Sequence, residues 1–444
     1  MRKEVRVVLI GAGSLAFTPS LLKGLAMSPL SDECEMTVAL MDVNHEILDT
    51  MYQVGTKLQE HFERRGKTRS FKIEKYMDRK AALRNADFVT VTISVGGAEA
   101  THLDVQIPKA KGILQAIGDT VGPAGVFRSF RHVPVMLGIA RDMEDLCPDA
   151  CLLNYTNPLT PLTRVVQRET KIRCYGLCSG PFGARPALAR AFDSKPEDVE
   201  VLVAGINHLF WIKDFKVKGM DGYELLKEMV ARGETPKIDP VHFQLYRVFG
   251  ILPSVGIGHH VSEFFPSLFM HEEAVEKYRI PLDLKGTIYD YGVRDRVLKA
   301  IKGVISGEKA VDSLEEGEEA TAITLIEAMV LGKKTIFPGI NVPNDGIITN
   351  LQSWGTLEVP ALVDSLGVHP FSLGQLPRGV AAVLAERLNQ YELEIDAALS
   401  GDRGLALQSL LMDGYVRSVE VAEELLNEVL EAEREWVPSY WFEG

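Results

Sequence analysis

Cysteine is scarce in this chain: five residues, at positions 34, 147, 151, 174 and 178, among 444. So few thiols, odd in number, exclude a disulfide framework and leave reduced cysteines, one of them a candidate metal ligand. Basic residues are in deficit too. Lys and Arg total 48 against 61 Asp and Glu, a net charge of −13 that argues against a nucleic-acid surface and mainly supports solubility. No apolar run approaches the ~18–20 residues that span a bilayer, so no membrane partner is expected. The opening MRKEVRVVLIGAGS enters a strand and glycine turn too soon for a cleavable secretory signal, and a cytoplasmic protein is expected. Repeats, linkers and low-complexity tracts are missing as well, so any domains pack continuously on one another.

What is present is an α/β chain. At 444 residues it exceeds the roughly 250–300 at which one core stops growing, and two domains are expected. Residues 5–10 form a β-branched run that leads into Gly11-Ala-Gly13-Ser14-Leu-Ala16, after which Leu21, Leu22 and Leu25 recur at helical spacing. A side chain at Gly11 would obstruct the tight turn, and one at Gly13 would hold a pyrophosphate off the backbone amides. A second strand, residues 36–40, ends at Asp42, placed to accept hydrogen bonds from an adenosine ribose; an acid there favours NAD over NADP. A third apolar strand, residues 88–94, ends in Ser94-Val-Gly-Gly, where doubly wound folds lie beside their cofactor. The loop Gly118-Asp119-Thr-Val-Gly122-Pro-Ala-Gly125 follows, then a helix from 131 to 146. Asp119 reads either as a general acid or base, or as a cap of the turn or next helix.

Residues 151–154 are the last strand of this half and run into Asn154-Tyr-Thr-Asn157-Pro. That junction resembles the one in lactate and malate dehydrogenases, but the GxHG setting of their catalytic histidine is missing. Instead come Gly176-Leu-Cys178-Ser-Gly180 and Gly205-Ile-Asn-His208. Asn side chains can hold sugar-like hydroxyls, and a thiolate with an imidazole can hold a borderline divalent metal.

Taken together, GAGS with Phe17-Thr-Pro, Gly118-Asp-Thr, NYTNP, GLCSG, GINH, His260-Val-Ser-Glu263-Phe and Asn341-Val-Pro-Asn344 resemble glycoside hydrolase family 4, the NAD- and metal-dependent glycosidases. The likeness covers nearly the whole chain and is strongest to the α-galacturonidase, α-glucuronidase and α-galactosidase branch. It implies a doubly wound (Rossmann) NAD-binding domain, residues 1–175, and a second α+β domain that binds metal and substrate, residues 176–444, in a lactate/malate dehydrogenase-like architecture. It also implies redox chemistry, an exception to the two-carboxylate scheme of most glycosidases. A hydride leaves C3 for NAD, the C2 proton becomes acidic, the aglycone is eliminated, water adds and the hydride returns. By position, the resemblance implies Cys178 and His208 as the metal ligands and manganese as the divalent ion. Asn157 would bind sugar hydroxyls, Asn154 would lie near the nicotinamide or its ribose, and Ser94 would lie beside the cofactor.

The pattern is departed from where catalysis is at stake. Ser179 follows the cysteine where relatives carry His, Asp or Asn, and Gly258 stands where relatives carry an acidic base. His259, His260 or Asp119 would then be the catalytic base or acid. Ala98-Glu-Ala-Thr-His102 lacks the basic residue of phospho-sugar members, which points to an unphosphorylated α-glycoside or a uronide, with Arg128 and Arg131 either serving a carboxylate or remaining solvated helix charges. The expected partner is thus a small glycoside, in a homo-oligomer, dimer or tetramer, walled by helices in residues 287–332, with an acidic patch at 315–319, and 374–436. The rival functions are a net oxidoreductase of a sugar or hydroxy acid and a non-catalytic NAD sensor.

Overall fold

The computed structural model describes residues 3–64, 71–234, 236–255, 260–314 and 320–443. Six parallel strands form one half of its sheet: β1 (Lys3–Ile10), β2 (Cys34–Met41), β3 (Phe71–Tyr76), β4 (Phe88–Val91), β5 (Cys151–Asn154) and β6 (Arg173–Gly176). Their order is β3-β2-β1-β4-β5-β6, that of dinucleotide-binding folds. Helices cover both faces, so β4 and β5 are buried at every residue and read as continuous rather than alternating runs. One covering helix, His45–Arg64, buries Leu48, Met51, Val54, Leu58 and Phe62, a stripe at helical spacing.

The sheet then continues antiparallel through β7 (Val199–Ile206), β8 (Leu209–Val217), β9 (Met220–Asp221), β10 (Thr335–Pro343), β11 (Thr356–Asp364) and β12 (Gly367–Pro370). β10 and β11 insert between β6 and β7. The expected boundary between residues 175 and 176 falls within β6, so both halves share one sheet. A single lateral row of paired residues crosses it: Tyr76, Met41, Ile10, Val91, Asn154, Gly176, Asn341, Glu358, Gly205. The chain leaves the sheet just beyond this row at every candidate motif.

Several local expectations are corrected. The strand expected over 88–94 ends at Val91, because β1 turns away at Gly11 and leaves residues 92–94 no partner strand; Thr92 Oγ1 donates to Gly11 O at 3.0 Å instead. The helix expected from residue 131 spans Gly122–Leu146, with Pro123 in its first turn, where a missing N–H costs nothing. Asp119 therefore caps nothing: the residue before this helix is Val121, with no side-chain cap. β8 to β12 were not foreseen. The acidic patch at 315–319 lies outside the described residues.

Arg131 is neither solvated nor free for a ligand. It is fully buried and donates to Asp104 Oδ1 and Oδ2 at 2.8 and 2.6 Å, and to Glu433 Oε2. The triad ties Gly122–Leu146 to the helix Gly97–Ala110 and to the end of the helix Val419–Ala432. Replacing Arg131 by Met should lower stability by about 3–5 kcal/mol, since two carboxyl groups would be left buried without their counter-charge. Chemical denaturation will measure it, and a loss under about 1 kcal/mol would mean that the triad is not the clamp.

Candidate active site

The glycine turn leaves β1 with Gly11 at φ +83°, and a Cβ there would stand 2.6 Å from Thr92 O, so only glycine fits. Two residues on, Gly13 N–H donates to Asp42 Oδ2 at 2.7 Å, while Asp42 Oδ1 accepts from Asn44 N–H at 2.9 Å. The acid at the end of β2 thereby braces the turn. Gly11, Gly13, Ser14, Asp42 and Ser94 line a cleft of about 540 Å³ that runs on to Asp119, Arg128, Asn157 and His260. The glycine turn and a cluster of ionisable groups thus share one cavity.

At the far end, β7 and β8 are joined by Asn207 and His208 alone. His208 has φ +62°, a conformation that costs a non-glycine residue about 1–3 kcal/mol and that surrounding structure must hold. Ser254 Oγ donates to His208 O at 2.9 Å, and the ring meets Thr120 Oγ1 through Nδ1 at 2.9 Å. Thr120 has one hydroxyl proton, and it goes to Asp119 Oδ1 at 2.6 Å. Its oxygen therefore accepts from His208 Nδ1–H, which leaves the lone pair on Nε2. That is the tautomer a metal ligand needs.

Asp119 Oδ2 accepts from Asn157 Nδ2 at 2.8 Å, and Oδ1 lies 3.9 Å from His260 Nδ1. The His208 and His260 rings are 4.2 Å apart. Donor atoms of Asp119, His208 and His260 all lie within 4.8 Å of one another. Ligands about one ion with ~2.1 Å bonds are at most ~4.2 Å apart, so small side-chain rotations would close the set. Burial works against the Asp119 charge, but His260, His208 and the Thr120 hydrogen bond outweigh it and hold the carboxyl below its usual range. Burial, with His260 adding to it and Asp119 opposing, pushes His208 down to about 3.

The loop before Asp119 is fixed by Glu263. Its Oε1 accepts from the N–H groups of Ala116, Ile117 and Gly118 at 2.9, 3.0 and 3.0 Å. Since Glu263 ends the short helix that His260 begins, this one carboxyl sets the separation of His260 from Asp119. Behind His208, the buried Glu358 Oε1 accepts from Asn341 Nδ2 at 2.9 Å and from Asn207 Nδ2 at 3.5 Å.

Other expected residues are placed differently. Cys178 is half-buried, its Sγ accepting from Gly180 N–H at 3.4 Å, and it lies outside the three-donor set. Asn154 is fully buried and does not line the cleft; its amide donates to Thr156 O and Thr163 Oγ1 and its Oδ1 accepts from Thr156 N–H, so it shapes the turn that presents Asn157. His259 and Gly258 lie outside the described residues. Thr120, Glu263 and Glu358 were not assigned roles from the sequence. Glu263 and Thr120 do sit inside the quoted motifs, and an acid three residues after His260 is the signal that could have found the first.

Residues 6–194 match the family described as "Family 4 glycosyl hydrolase", and residues 203–416 match "Family 4 glycosyl hydrolase C-terminal domain". An alpha-galactosidase of Bacillus subtilis (strain 168) is 31% identical over 98% of this chain and 99% of its own. An alpha-galacturonidase of the same organism is 30% identical over 96% and 97%. Among solved structures, the 6-phospho-beta glucosidase from Thermotoga maritima, solved with manganese, NAD+ and glucose-6-phosphate, superposes at TM-score 0.78 with 26% identity over 98% of this chain and 99% of that one. Malate dehydrogenase from Plasmodium falciparum matches at TM-score 0.52 with 13% identity, covering 90% and 99%, a likeness of fold alone.

Glu358 supplies a test of this geometry. Burial raises its carboxyl to about 7, against the pull of Asn341 and Asn207. With the folded value above the ordinary one near 4.5, its stabilising contribution is present below ~4.5 and lost as pH rises through ~7. Glu358→Gln removes that loss. The melting temperature of the variant relative to the parent should therefore rise between pH 5 and pH 8; a difference independent of pH would show that Glu358 is not held protonated.

Proposed function

The chain belongs to the family 4 glycosyl hydrolases, and from that premise we propose how its cleft works as an NAD- and divalent-metal-dependent glycosidase. The observation that carries the reading is the single cleft joining the glycine turn to Asp119 and His260. Gly11, Gly13 and Ser14 would cradle the diphosphate and Asp42 would accept from the adenosine ribose, with Ser94 nearer the reactive end. Bound NAD supplies reversible oxidation of the sugar at C3, and the divalent ion, in the manner of manganese, supplies charge stabilisation beside it.

The chain's own residues do the rest. Asn157, with its Nδ2 committed to Asp119, turns Oδ1 to a sugar hydroxyl. His260 takes the C2 proton, and Asp119 faces its ring to stabilise the charge gained. His208, in the tautomer fixed by Thr120, holds the ion together with Cys178, as the motif GLCSG implies. A second reading has one specific support: the grouped donors of Asp119, His208 and His260 would themselves hold the ion. Titrating the ion into Cys178→Ser and Asp119→Asn separates the two. The first reading expects the larger loss of affinity, roughly 10–100-fold, from the cysteine variant.

The substrate is taken to be unphosphorylated. His102, the one basic residue of the segment 98–102, meets Tyr289 O at 3.0 Å and stacks on Tyr291. Division into a cofactor half, residues 1–175, and a metal and substrate half, residues 176–444, cytoplasmic placement, and a dimer or tetramer formed through the outer helices belong to the same proposal. Among the described residues no helix is long and apolar enough to cross a membrane.

Two outcomes check the cofactor and the chemistry. Asp42→Ala should weaken NAD binding by about 10–100-fold, the worth of a charge-assisted bond together with its brace on Gly13, and equal affinity would move the cofactor elsewhere. In deuterated water, with NAD and metal, the released sugar should carry deuterium at C2. Steady accumulation of NADH without cleavage would favour the oxidoreductase, and cleavage with C2 hydrogen wholly retained would overturn proton abstraction with solvent exchange.

A further inference from the structure

Resting on the reading of His208 as an ion ligand, which both donor sets above share, we propose that His242 is a positioning residue. Acting through Ser254, it holds the His208 turn in its strained form and thereby sets the affinity for the divalent ion. His242 lies on the helix Pro240–Phe249 and is 1% exposed. With Leu188 and Val255, members of a second hydrophobic core, it lines a cavity of about 230 Å³ that is separate from the cleft. It therefore touches neither cofactor nor sugar, and any part it plays passes through its protein contacts.

Those contacts lead to the cleft in two steps. His242 Nε2 meets Ser254 O at 3.1 Å, and since a carbonyl only accepts, Nε2 carries the proton. Nδ1 has no hydrogen-bond partner among the described residues and stands 3.4 Å from Asp239 Oδ1. The bond to Ser254 is thus the one hydrogen bond of the ring. Ser254 in turn has φ +39°, as unusual for a serine as φ +62° is for His208. Its N–H donates to Phe210 O at 2.7 Å, and its single hydroxyl proton lies between His208 O and Phe210 O, each 2.9 Å from Oγ.

Two residues in an unfavourable conformation therefore brace each other, and such conformations persist only where the surroundings over-determine them. β8 grips the N–H and hydroxyl of Ser254, and His242 grips its carbonyl. An apolar side chain at 242 would fill the second core as well, but it would take the donor from a carbonyl of a fully buried residue. Ser254 would then be free to relax toward ordinary backbone angles and carry its hydroxyl away from His208. Thr120 orients the His208 ring from within the cleft; His242 and Ser254 hold its backbone from outside.

Manganese titration of the full chain without sugar, followed by loss of the free-ion EPR signal, tests the proposal. His242→Leu should weaken the ion by about 5–20-fold while NAD affinity stays within about twofold of the parent. His242→Gln, whose amide can still donate to Ser254 O, should recover most of that loss, and the shorter His242→Asn should not. Leu226→Ala, which opens a cavity in the same core, controls for instability: it should lower the melting temperature comparably and leave ion affinity unchanged. In a Ser254→Ala background, where the hydroxyl to His208 is gone, His242→Leu should cost no further affinity. Parent-like affinity in His242→Leu, an equal loss in Leu226→Ala, or full additivity with Ser254→Ala overturns the proposal. Where His242→Leu fails to fold, the Gln and Asn variants decide, and equal affinities refute it. Should the parent bind no manganese, the metal reading fails separately and amide exchange decides the brace. Exchange in residues 206–210 at least tenfold faster in His242→Leu than in Leu226→Ala supports it, and equal exchange refutes it.

Discussion

Two buried side chains, Asn341 and Glu358, join the parallel and antiparallel halves of the sheet, and the geometry of the site depends on them. Only one residue pairing links β6 to β10 and only one links β11 to β7. Asn341 adds a bond to Gly176 O at 3.2 Å and another to Glu358, so the side chains continue a ladder that the backbone barely begins. The row sets Gly176, two residues before Cys178, level with Gly205, three residues before His208. Loops 29 residues apart in sequence therefore emerge at the same edge, beside Asn154 and Val91.

The second constraint is the loop from Ala116 to Thr120, which the fold holds from three directions. Glu263 gathers its amides, His208 meets Thr120, and Asn157 meets Asp119. Each contact joins a different motif to the same five residues, so none can shift alone. The Ser94-Val-Gly-Gly turn is tied in through the helix Gly122–Leu146, where His132 Nδ1–H donates to Arg128 O, which leaves Nε2 to accept from Val95 N–H at 3.1 Å. Burial and the charges of Arg128 and Arg131 keep that imidazole well below its ordinary pKa, in the neutral form this double role requires.

Much of this was legible in the sequence because local chemistry dictated it. Gly11 and Asp42 declare a turn and a strand end, and apolar runs such as FVTV and CLLN declare fully buried strands. The ordered motifs named the family. What stayed hidden was long-range. β10 and β11 are recognisable as elements only through partners far away in the chain, and Glu358 reads in sequence like any acid on an exposed strand face. Arg131 read as either a carboxylate binder or a solvated helix charge because its partners, Asp104 and Glu433, are 27 and 302 residues distant. The metal question was only half legible: the sequence paired Cys178 with His208, whereas side-chain proximity singles out Asp119 and His260.

Interior charge is distributed with a direction. Glu263, Glu358 and Glu394 are pushed by burial to about 8, 7 and 8, so these supporting carboxyls lean toward the neutral form. Arg131, far from chemistry, has two acids. Asp119, at the cleft, is instead held below its usual range, burial being outweighed by the neighbourhood of His260, the Thr120 hydrogen bond and Arg128. Neutral groups build the frame because uncompensated charge is costly in a packed interior, whereas at the cavity wall Asp119 has His260 and Arg128 beside it. The same logic explains the strain at His208: a residue held in an unfavourable conformation by Ser254 and Thr120 is pre-oriented before any ligand arrives, so the ordering cost is met in folding and not in binding.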